Sequence, residues 1–375
     1  MSLLFQSFAI AACALWLMRA AGLGAVTAGL LAAGLHAAGF SIFLHRLVWW
    51  IDDVKTPPWY AWCVEVLYAA YGTGCFVAAF MALPAMAIWA ALRLSVGTTW
   101  SALDVLAGPL FLGWALGLYG STAGRLWARV RRVEVFIDDL PEAFDGFRIA
   151  QWSDVHCGPY LPRWVLSRWV EATRALAPDV VCLTGDLITT GEGYVDDVGW
   201  FAAQLKAPHG VFACMGNHDY FQTETAVVDA LLGAGVRLQR NRGETLTRGD
   251  AALWIGGLDD HFSKRDRLDE ALATAPAGAT RVLLSHDPRH WQSLCDAGVE
   301  LSLSGHTHAG QIGLPWPLER LNLYRVVHRW SDGLYTEGGR ALYVSRGLGI
   351  TGVPSRIFMW PEIALIVLRR RVSTR

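Results

Sequence analysis

The sequence predicts a helical membrane domain followed by an α/β domain in which buried sheets are covered by helices. Three observations support this. The chain is nearly free of charge from Met1 to about Tyr119, and charged residues and turns resume from Arg125 onward. Beyond that point, apolar runs of strand length alternate with segments of helical spacing. Polar motifs follow directly after several of the apolar runs.

The first part of the chain contains four apolar stretches that approach the roughly 20 residues needed to span a bilayer. They are Leu3–Met18, Ala20–Leu44, Val66–Leu94 and Leu103–Tyr119. We therefore expect a membrane domain of about four transmembrane helices over residues 1–124. A basic linker with a first strand would follow over 125–146, and the α/β domain would occupy 147–375.

Basic residues predict how these spans are oriented. Arginines crowd directly after the last span, and Arg46 and Lys55 lie in the loop on the same side. Arg19 and Arg93 are the basic residues expected on the opposite side. By the positive-inside rule, the side with more basic residues is cytoplasmic, which places the α/β domain in the cytoplasm.

Two ionisable residues leave a transport function open for the membrane domain. His36 and Glu65 lie in or beside predicted spans, where ionisable groups are costly and often belong to relays. A relay needs further partners, and the region shows no second carboxylate suited to that role. We interpret His36 as a neutral packed residue and Glu65 as an interfacial one.

The sequence of the α/β domain predicts the following strands and helices. In the first helix, Val165, Leu166 and Trp169 share one face, and Pro178 lies just past its end. Runs such as Val180–Leu183 are apolar throughout, as in strands buried on both faces. The predicted strands are Phe147–Trp152, Val180–Leu183, Val211–Met215, Ala252–Gly256, Arg281–Leu284, Glu300–Leu303, Leu342–Ser345 and Ile363–Leu368. The predicted helices are Arg163–Leu176, Val198–Leu205, Thr225–Leu232, Leu268–Ala273 and His290–Cys295.

Five polar motifs stand where such runs end, and ligands in α/β folds collect at the carboxyl ends of strands. They are Asp154-Val155-His156, Gly185-Asp186, Gly216-Asn217-His218-Asp219, the lone His286 and Gly305-His306-Thr307-His308. Residues two apart in an extended strand point to the same side. We therefore expect each Asp-x-His or His-x-His pair to deliver two ligands to one cluster. The glycines before the ligands would permit a sharp turn off the strand.

Carboxylate, amide and imidazole groups in this number suffice for two divalent metal ions, which points to metal-assisted hydrolysis of a phosphate ester. Mixed ligands of this kind suit manganese, iron or zinc. Other polar residues match no ligand position. His209, His261, His290 and His328 are expected at the surface or in packing, Asp259 and Asp260 in a solvated turn or a substrate loop, and Arg346 and Arg356 leave a phosphate clamp open.

The ordered set of motifs resembles the calcineurin-like metallophosphoesterase superfamily. The ending from Leu342 through Gly349 to Ile363 is similar to its membrane-anchored bacterial branch of YkuE-like and YaeI-like phosphodiesterases. The resemblance implies two packed mixed β-sheets flanked by helices, an αββα sandwich. It also implies a dinuclear centre, most often assayed with manganese.

The resemblance further implies a role for each site residue. One ion would be held by Asp154, His156, Asp186 and His308, and the other by Asp186, Asn217, His286 and His306. A shared carboxylate suits two dications about 3.5 to 4 Å apart, because it reduces their repulsion. A water between the ions would lose a proton near neutral pH and attack phosphorus in line. His218 would bind the phosphate or protonate the leaving oxygen, with Asp219 orienting its ring.

The predicted function is a phosphohydrolase of the bacterial inner membrane with the bilayer as a partner. It would cut a phosphomonoester, phosphodiester or pyrophosphate bond, and relatives suggest a lipid-linked substrate such as a UDP-diacylglucosamine-type pyrophosphate. A nucleic-acid partner is not expected, because the net charge is only −1. A non-catalytic scaffold or metal and ligand sensor is the alternative, although such a protein would not need His218.

Overall fold

A computed structural model describes residues 55–321 and 324–371, together with scattered positions between 21 and 37. The described chain forms two compact units. One contains Thr56–Arg125 and Val353–Ile357, and the other consists mainly of Leu126–Gly352 and the residues from Phe358 onward.

The first unit is built on two long helices. The helix α1 spans Pro58–Val96, includes a π-helical turn at Ala61–Glu65, and ends at Gly97, which has a left-handed φ of 67°. The helix α2 spans Ala102–Ser121, and a capping box between Ser101 and Asp104 fixes its start. Glycines of both helices lie where their backbones meet, namely Gly74, Gly113 and Gly117.

Within the described residues, α1 is the one helix found long and apolar enough to cross a membrane. It contains the predicted span Val66–Leu94, and α2 contains the predicted span Leu103–Tyr119. Leu3–Met18 lies outside the described residues, and so do most of Ala20–Leu44 and His36. Glu65 is buried.

The second unit contains twelve strands and six helices among its described residues. The strands are β1 Arg129–Asp138, β2 Arg148–Trp152, β3 Val180–Thr184, β4 Val211–Cys214, β5 Arg237–Leu238, β6 Arg242–Arg248, β7 Ala251–Gly257, β8 Thr280–Leu284, β9 Leu301–Ser304, β10 Gly333–Glu337, β11 Arg340–Val344 and β12 Glu362–Arg371. The helices are α3 Arg163–Ala175, α4 Val195–Gln204, α5 Glu224–Gly233, α6 Leu268–Leu272, α7 Trp291–Asp296 and α8 Tyr324–Val327.

The strands form two mixed six-stranded sheets, in the orders β1-β12-β2-β3-β4-β5 and β10-β11-β9-β8-β7-β6. In the first sheet, β2, β3, β4 and β5 run parallel, and β12 lies antiparallel to β2 and parallel to β1. In the second sheet, β7, β8, β9 and β11 are parallel, with antiparallel partners at both edges. The carboxyl ends of the parallel strands therefore define one edge of each sheet.

The main hydrophobic core lies between the two sheets. Ile149, Val180 and Phe212 enter it from the first sheet, and Val282 and Leu301 enter it from the second. All five are fully buried, and full burial of such a side chain contributes about 1.5–3 kcal/mol. This double layer of sheets accounts for the continuously apolar strands.

Helices cover the outer faces of both sheets. On the first sheet, the ring of Trp152 stacks on Phe201 of α4 at 5.5 Å and contacts Trp169 of α3 at 6.2 Å between ring centroids. On the second sheet, Ala271 of α6 and Leu294 of α7 belong to a buried cluster with strand residues. The predicted αββα sandwich is confirmed.

Candidate metal centre

Each predicted ligand motif begins within three residues of a strand's end. Asp154 follows β2, Asp186 follows β3, Asn217 follows β4, His286 follows β8 and His306 follows β9. The first three strands belong to one sheet and the last two to the other. The two sheets therefore each supply part of a single cluster.

The loops reach the cluster by a different backbone geometry from the one expected. Asp154 and His156 have φ of 52° and 48°, and His306 and His308 have φ of 70° and 49°. These are left-handed conformations, so the expectation of extended chain with side chains alternating in direction is wrong. Backbone strain of this kind concentrates at functional sites, where surrounding contacts hold it in place.

Two glycines serve these loops in different ways. Gly185 has a left-handed φ of 82°, so it provides the turn expected of it. Gly305 instead provides space, because a Cβ there would collide with Oγ of Ser153 and with Oδ2 of Asp154. The absence of a side chain at 305 thus allows the loops after β9 and β2 to approach.

The first ligand group combines two imidazoles with carboxylates. Nε2 of His156 lies 3.0 Å from Nε2 of His308, and the latter atom lies 3.3 Å from Oδ1 of Asp154. Nε2 of His156 also lies 3.6 Å from Oδ2 of Asp186. The carboxylate of Asp154 is fixed by the backbone N–H of His306, which donates to both oxygens at 2.9 and 3.1 Å.

The second group also includes Asp186. Oδ2 of Asp186 lies 3.2 Å from Nε2 of His286, which lies 3.2 Å from Nδ1 of His306. Nδ1 of His306 lies 3.1 Å from Oδ1 of Asn217. Nδ1 of His286 donates to the carbonyl of Thr184 at 2.8 Å, so Nε2 is the ring nitrogen that faces this group and binds a metal once it has lost its proton.

Burial and mutual charge interactions shift the pKa values of the ligand residues. Burial raises the pKa of Asp154 to about 6, and the negative charge of Asp186 adds to this effect. Burial would also raise the pKa of Asp186, but the positive charge of His286 holds it well below its usual value. Burial and the charge of His286 lower the pKa of His306 to about 4. Buried carboxylates with facing imidazole nitrogens form an environment that divalent cations stabilise.

The residues fit divalent ions. Metal–ligand bonds of about 2.1 Å place adjacent ligand atoms roughly 3.0–3.4 Å apart, so the distances between these nitrogen and oxygen atoms match those of ligands that share one cation. Six of the seven predicted ligands offer atoms that lie together in two groups, Asp154 with His156 and His308, and Asp186 with His286 and His306. Asn217 joins the second group through its contact with His306.

His218 lies beside the cluster and is half-buried. Its backbone N–H donates to Oδ1 of Asp186 at 2.9 Å, and its ring meets the ring of His156 edge to face at 4.8 Å. Nδ1 of His218 contacts the carbonyl of Thr189 at 2.6 Å. Because a carbonyl only accepts, Nδ1 carries the proton in the neutral ring, and Nε2 is the atom that can exchange a proton.

Asp219 does not orient His218 as expected. Oδ2 of Asp219 accepts from the backbone N–H groups of Asp186 at 2.9 Å and Gly216 at 2.8 Å. Oδ1 accepts from those of Leu187 at 2.7 Å and Ile188 at 3.3 Å. The ring of His218 is instead oriented by Thr189. Asp219 is thus a positioning residue that joins the loops after β3 and β4, and burial raises its pKa to about 7, together with the charge of Asp186.

Several supporting contacts had no signal in the sequence because they use main-chain atoms. The carbonyls of Thr184 and Thr189 fix two imidazole rings. The backbone N–H of Leu348 donates to the carbonyl of Ser153 at 2.9 Å, and that of Gly349 donates to Asp154 at 2.7 Å. The segment Leu342–Gly349, which resembles the membrane-anchored branch, therefore supports the loop that carries Asp154.

The two arginines considered for a phosphate clamp have other surroundings. Nε and Nη2 of Arg346 donate to Oδ2 of Asp332 at 3.1 and 3.0 Å. Arg356 is fully buried in the helical unit. Asp259 and Asp260 are also buried, so the expected solvated turn is wrong, and Nε of Arg240 donates to Asp259 at 3.0 Å.

This fold and site define a metal-dependent phosphoester hydrolase. Residues 147–310 match the model of the calcineurin-like phosphoesterase family. The uncharacterized metallophosphoesterase YkuE of Bacillus subtilis is 34% identical over 236 residues, which cover 61% of this chain and 82% of that protein. The chain belongs to the calcineurin-like metallophosphoesterase family.

Two further relatives carry names that mention a membrane or a substrate. A transmembrane protein with metallophosphoesterase domain from Danio rerio is 29% identical over 269 residues, covering 68% of this chain and 60% of that protein. The UDP-2,3-diacylglucosamine pyrophosphatase LpxG of Chlamydia trachomatis is 28% identical over 311 residues, which cover 68% of this chain and 92% of that protein. The candidate span α1 and the transmembrane relative suggest that this protein associates with a membrane.

Proposed function

We propose that this protein hydrolyses a phosphodiester, phosphomonoester or pyrophosphate bond in a lipid-linked substrate, with two divalent ions that share Asp186. The position of Asp186 carries the proposal. Its Oδ2 lies 3.6 Å from Nε2 of His156 and 3.2 Å from Nε2 of His286, so one carboxylate faces both ligand groups. A shared anion between two cations is the arrangement that a dinuclear phosphoesterase needs.

When bound, the two ions activate a water molecule and stabilise negative charge on the phosphoryl oxygens. The protein's own residues fix where this happens. The carboxylate of Asp154 accepts a hydrogen bond from the N–H of His306. Asp219 accepts hydrogen bonds from four backbone N–H groups, including that of Asp186, and so fixes the loop that carries Asp186. The ligands are thus oriented before substrate arrives, which avoids reorganisation during the reaction.

His218 supplies the proton chemistry in this proposal. The carbonyl of Thr189 keeps a proton on Nδ1, so Nε2 can donate to a phosphate oxygen or to the departing oxygen. Its half-buried position beside Asp186 leaves it open to a substrate that approaches the ions. General acid catalysis of this kind typically contributes 10²–10⁴-fold to the rate.

A lipid-linked substrate is supported by the candidate span α1 and by the name of the Chlamydia relative. We place the catalytic domain on the cytoplasmic face of the bacterial inner membrane. The excess of arginine after α2 supports this placement through the positive-inside rule. The bilayer and its lipids are then the partners, and nucleic acid is not among them.

Turnover by purified full-length protein in detergent tests the activity, with manganese and bis-p-nitrophenyl phosphate. We expect wild type to turn over and Asp186→Asn to lose at least about 10³-fold in kcat/KM, because both ions lose their shared ligand. His209→Ala is the control, because His209 precedes β4 and lies at the opposite end of that strand from Asn217. A wild type without turnover, or an unaffected Asp186→Asn, would support the scaffold or sensor instead.

The role of His218 is tested by the leaving group. A p-nitrophenolate departs without help from an acid, whereas an alcohol or a sugar phosphate needs a proton. His218→Ala should therefore lose more activity on an alkyl phosphodiester or a UDP-sugar pyrophosphate than on the nitrophenyl ester. Equal losses on both kinds of substrate would limit His218 to phosphate binding.

The substrate class is tested in cells. Lipid and nucleotide profiles of cells that lack the protein are compared with those of cells that carry Asp186→Asn and cells that carry wild type. We expect one lipid-linked phosphate or pyrophosphate to accumulate in both defective strains and to return to normal with wild type. Accumulation of water-soluble phosphoesters alone would contradict the lipid-linked class.

A further inference from the structure

A second group of metal-binding side chains lies outside the centre described above. His261 and Asp266 belong to the loop between β7 and α6, and His290 ends the 3-10 turn Pro288–His290 after β8. Each side chain offers one ligand atom, and the three atoms lie within 4.8 Å of one another. We propose that His261, Asp266 and His290 bind a zinc ion, separate from the ions of the catalytic centre.

The distances fit a tetrahedral ion. Oδ2 of Asp266 lies 3.0 Å from Nε2 of His290 and 3.4 Å from Nδ1 of His261. Bonds of about 2.0–2.1 Å in a tetrahedral zinc site place neighbouring ligand atoms roughly 3.3 Å apart. The two imidazole rings meet edge to face with centroids 4.6 Å apart, so both can face one ion. A water would complete the four ligands.

The hydrogen bonds around His290 are compatible with the ring form that a metal requires. Oγ of Ser285 lies 2.9 Å from Nδ1 of His290 and donates to the carbonyl of Asp287 at 3.2 Å. With the one hydroxyl proton directed to this carbonyl, Nδ1 of His290 donates to Ser285. In the neutral ring, Nε2 then presents a lone pair toward Asp266. Zinc-binding histidines typically donate their other ring N–H to a neighbouring acceptor, which fixes the orientation of the ring.

The loop that carries His261 and Asp266 is held by contacts that do not involve the cluster. Oδ1 of Asn241 accepts from the backbone N–H groups of Asp259 at 3.0 Å and Arg267 at 2.9 Å. Inside the loop, the carboxylate of Asp260 accepts from the N–H groups of Phe262 at 3.2 Å and Ser263 at 2.7 Å. The two ligands are thus presented by a loop that is ordered independently, which reduces the entropic cost of binding.

The cluster is half-buried and shares no residue with the seven predicted ligands of the catalytic centre. His261 and His290 are expected from the sequence to be surface or packing residues, because neither matches a ligand position of the motifs. Only the fold brings the loops after β7 and β8 together. An ion here would link the loop of Asp259 to the segment that follows His286.

Metal content tests the proposal on full-length protein in detergent. Wild type and a His261→Gln, His290→Gln double variant are saturated with zinc, freed of loose metal by gel filtration and measured by elemental analysis. We expect the double variant to bind about one zinc equivalent less per chain, because two of three protein ligands are lost. A His209→Gln, His328→Gln double variant is the matched control and should bind as much as wild type. Far-UV circular dichroism checks that each variant is folded.

A second arm separates this site from the catalytic centre. In an Asp186→Asn, His308→Ala background, cobalt should still give the visible absorption of a tetrahedral site, and Asp266→Asn should remove it. The proposal would stand even if the catalytic assay failed, because the readout needs no turnover. Equal zinc content in wild type and the His261, His290 double variant, or unchanged cobalt absorption with Asp266→Asn, would overturn it.

Discussion

Nε2 of His156 and Nε2 of His308 lie 3.0 Å apart although 152 positions separate them in the chain. His156 follows β2 in the first sheet, and His308 follows β9 in the second. Beneath them, Nε2 of Gln151 donates to Oγ1 of Thr184 and to the carbonyl of Ser304, both at 2.9 Å, and so joins the same two sheets. The metal centre is therefore also a junction between the two halves of the sandwich.

Removal of metal should destabilise the fold, because the ligands come from both sheets. A ligand at 100 times its Kd contributes about 2.7 kcal/mol per site, which corresponds to several degrees in Tm for a domain of this size. We expect a chelator to lower the Tm of wild type and manganese to restore it, as followed by differential scanning fluorimetry. A His156→Ala, His308→Ala variant should respond much less, and an equal response would contradict the assignment.

Asp219→Asn should lower stability and metal affinity together. An amide has one acceptor oxygen and an NH₂ group that would face backbone donors, so at least two of the amides now satisfied by Asp219 would lose their partner, at about 1–3 kcal/mol each. Denaturant unfolding and metal titration measure both effects, with the exposed Asp229→Asn as control. If Asp219 acted by orienting the ring of His218, the variant would change the pH profile of kcat while metal affinity stayed constant.

Gly305→Ala should abolish metal binding, because the new Cβ overlaps with Ser153 and Asp154. Gly233→Ala is the matched control, since a Cβ there meets no heavy atom within 4 Å. At the end of α5, the control should be neutral or stabilising by roughly 0.5–1 kcal/mol. Elemental analysis and thermal unfolding of both variants decide the matter, and a Gly305→Ala protein with normal metal content would contradict the packing described.

Asp332 should make stability depend on pH below neutrality. Burial alone would raise its pKa, but the charge of Arg346 and the hydrogen bond from Arg325 hold the pKa below the usual value. A lowered pKa in the folded state stabilises the protein above the unfolded pKa of about 3.9, and this contribution is lost as the pH falls through the folded value.

Wild type should therefore exceed Asp332→Asn in stability by about 2–4 kcal/mol at pH 7, because the variant loses the carboxylate that faces Arg325 and Arg346. The difference should shrink in unfolding experiments as the pH is lowered from about 5 toward 3. A difference that is constant over this range would show that charge is not the cause.

The pattern of residues predicted the strands and loops that carry the site. Val180–Leu183 is apolar throughout because both faces of its strand are covered, and such a run identifies a strand without knowledge of its partners. Asp154, Asp186 and His286 stand where these runs end, so their convergence was also predictable.

Features that depend on chain pairing were not predictable. The short β5, the polar β6 and the edge strand β10 carry no distinct apolar pattern. The left-handed φ of His156 and the four amides around Asp219 result from loops that meet only in the folded chain. The contact between Asp266 and His290 was not predictable either, because the two residues lie in loops that follow different strands.

The position of β12 between β1 and β2 affects the folding of the chain during synthesis. The strand β1, which follows the helical unit directly, has its sheet neighbour only in Glu362–Arg371. On the ribosome, the helical unit emerges long before that neighbour exists. Until β12 is synthesised, β1 and β2 each have an unpaired edge, and unpaired strand edges favour aggregation of a nascent chain.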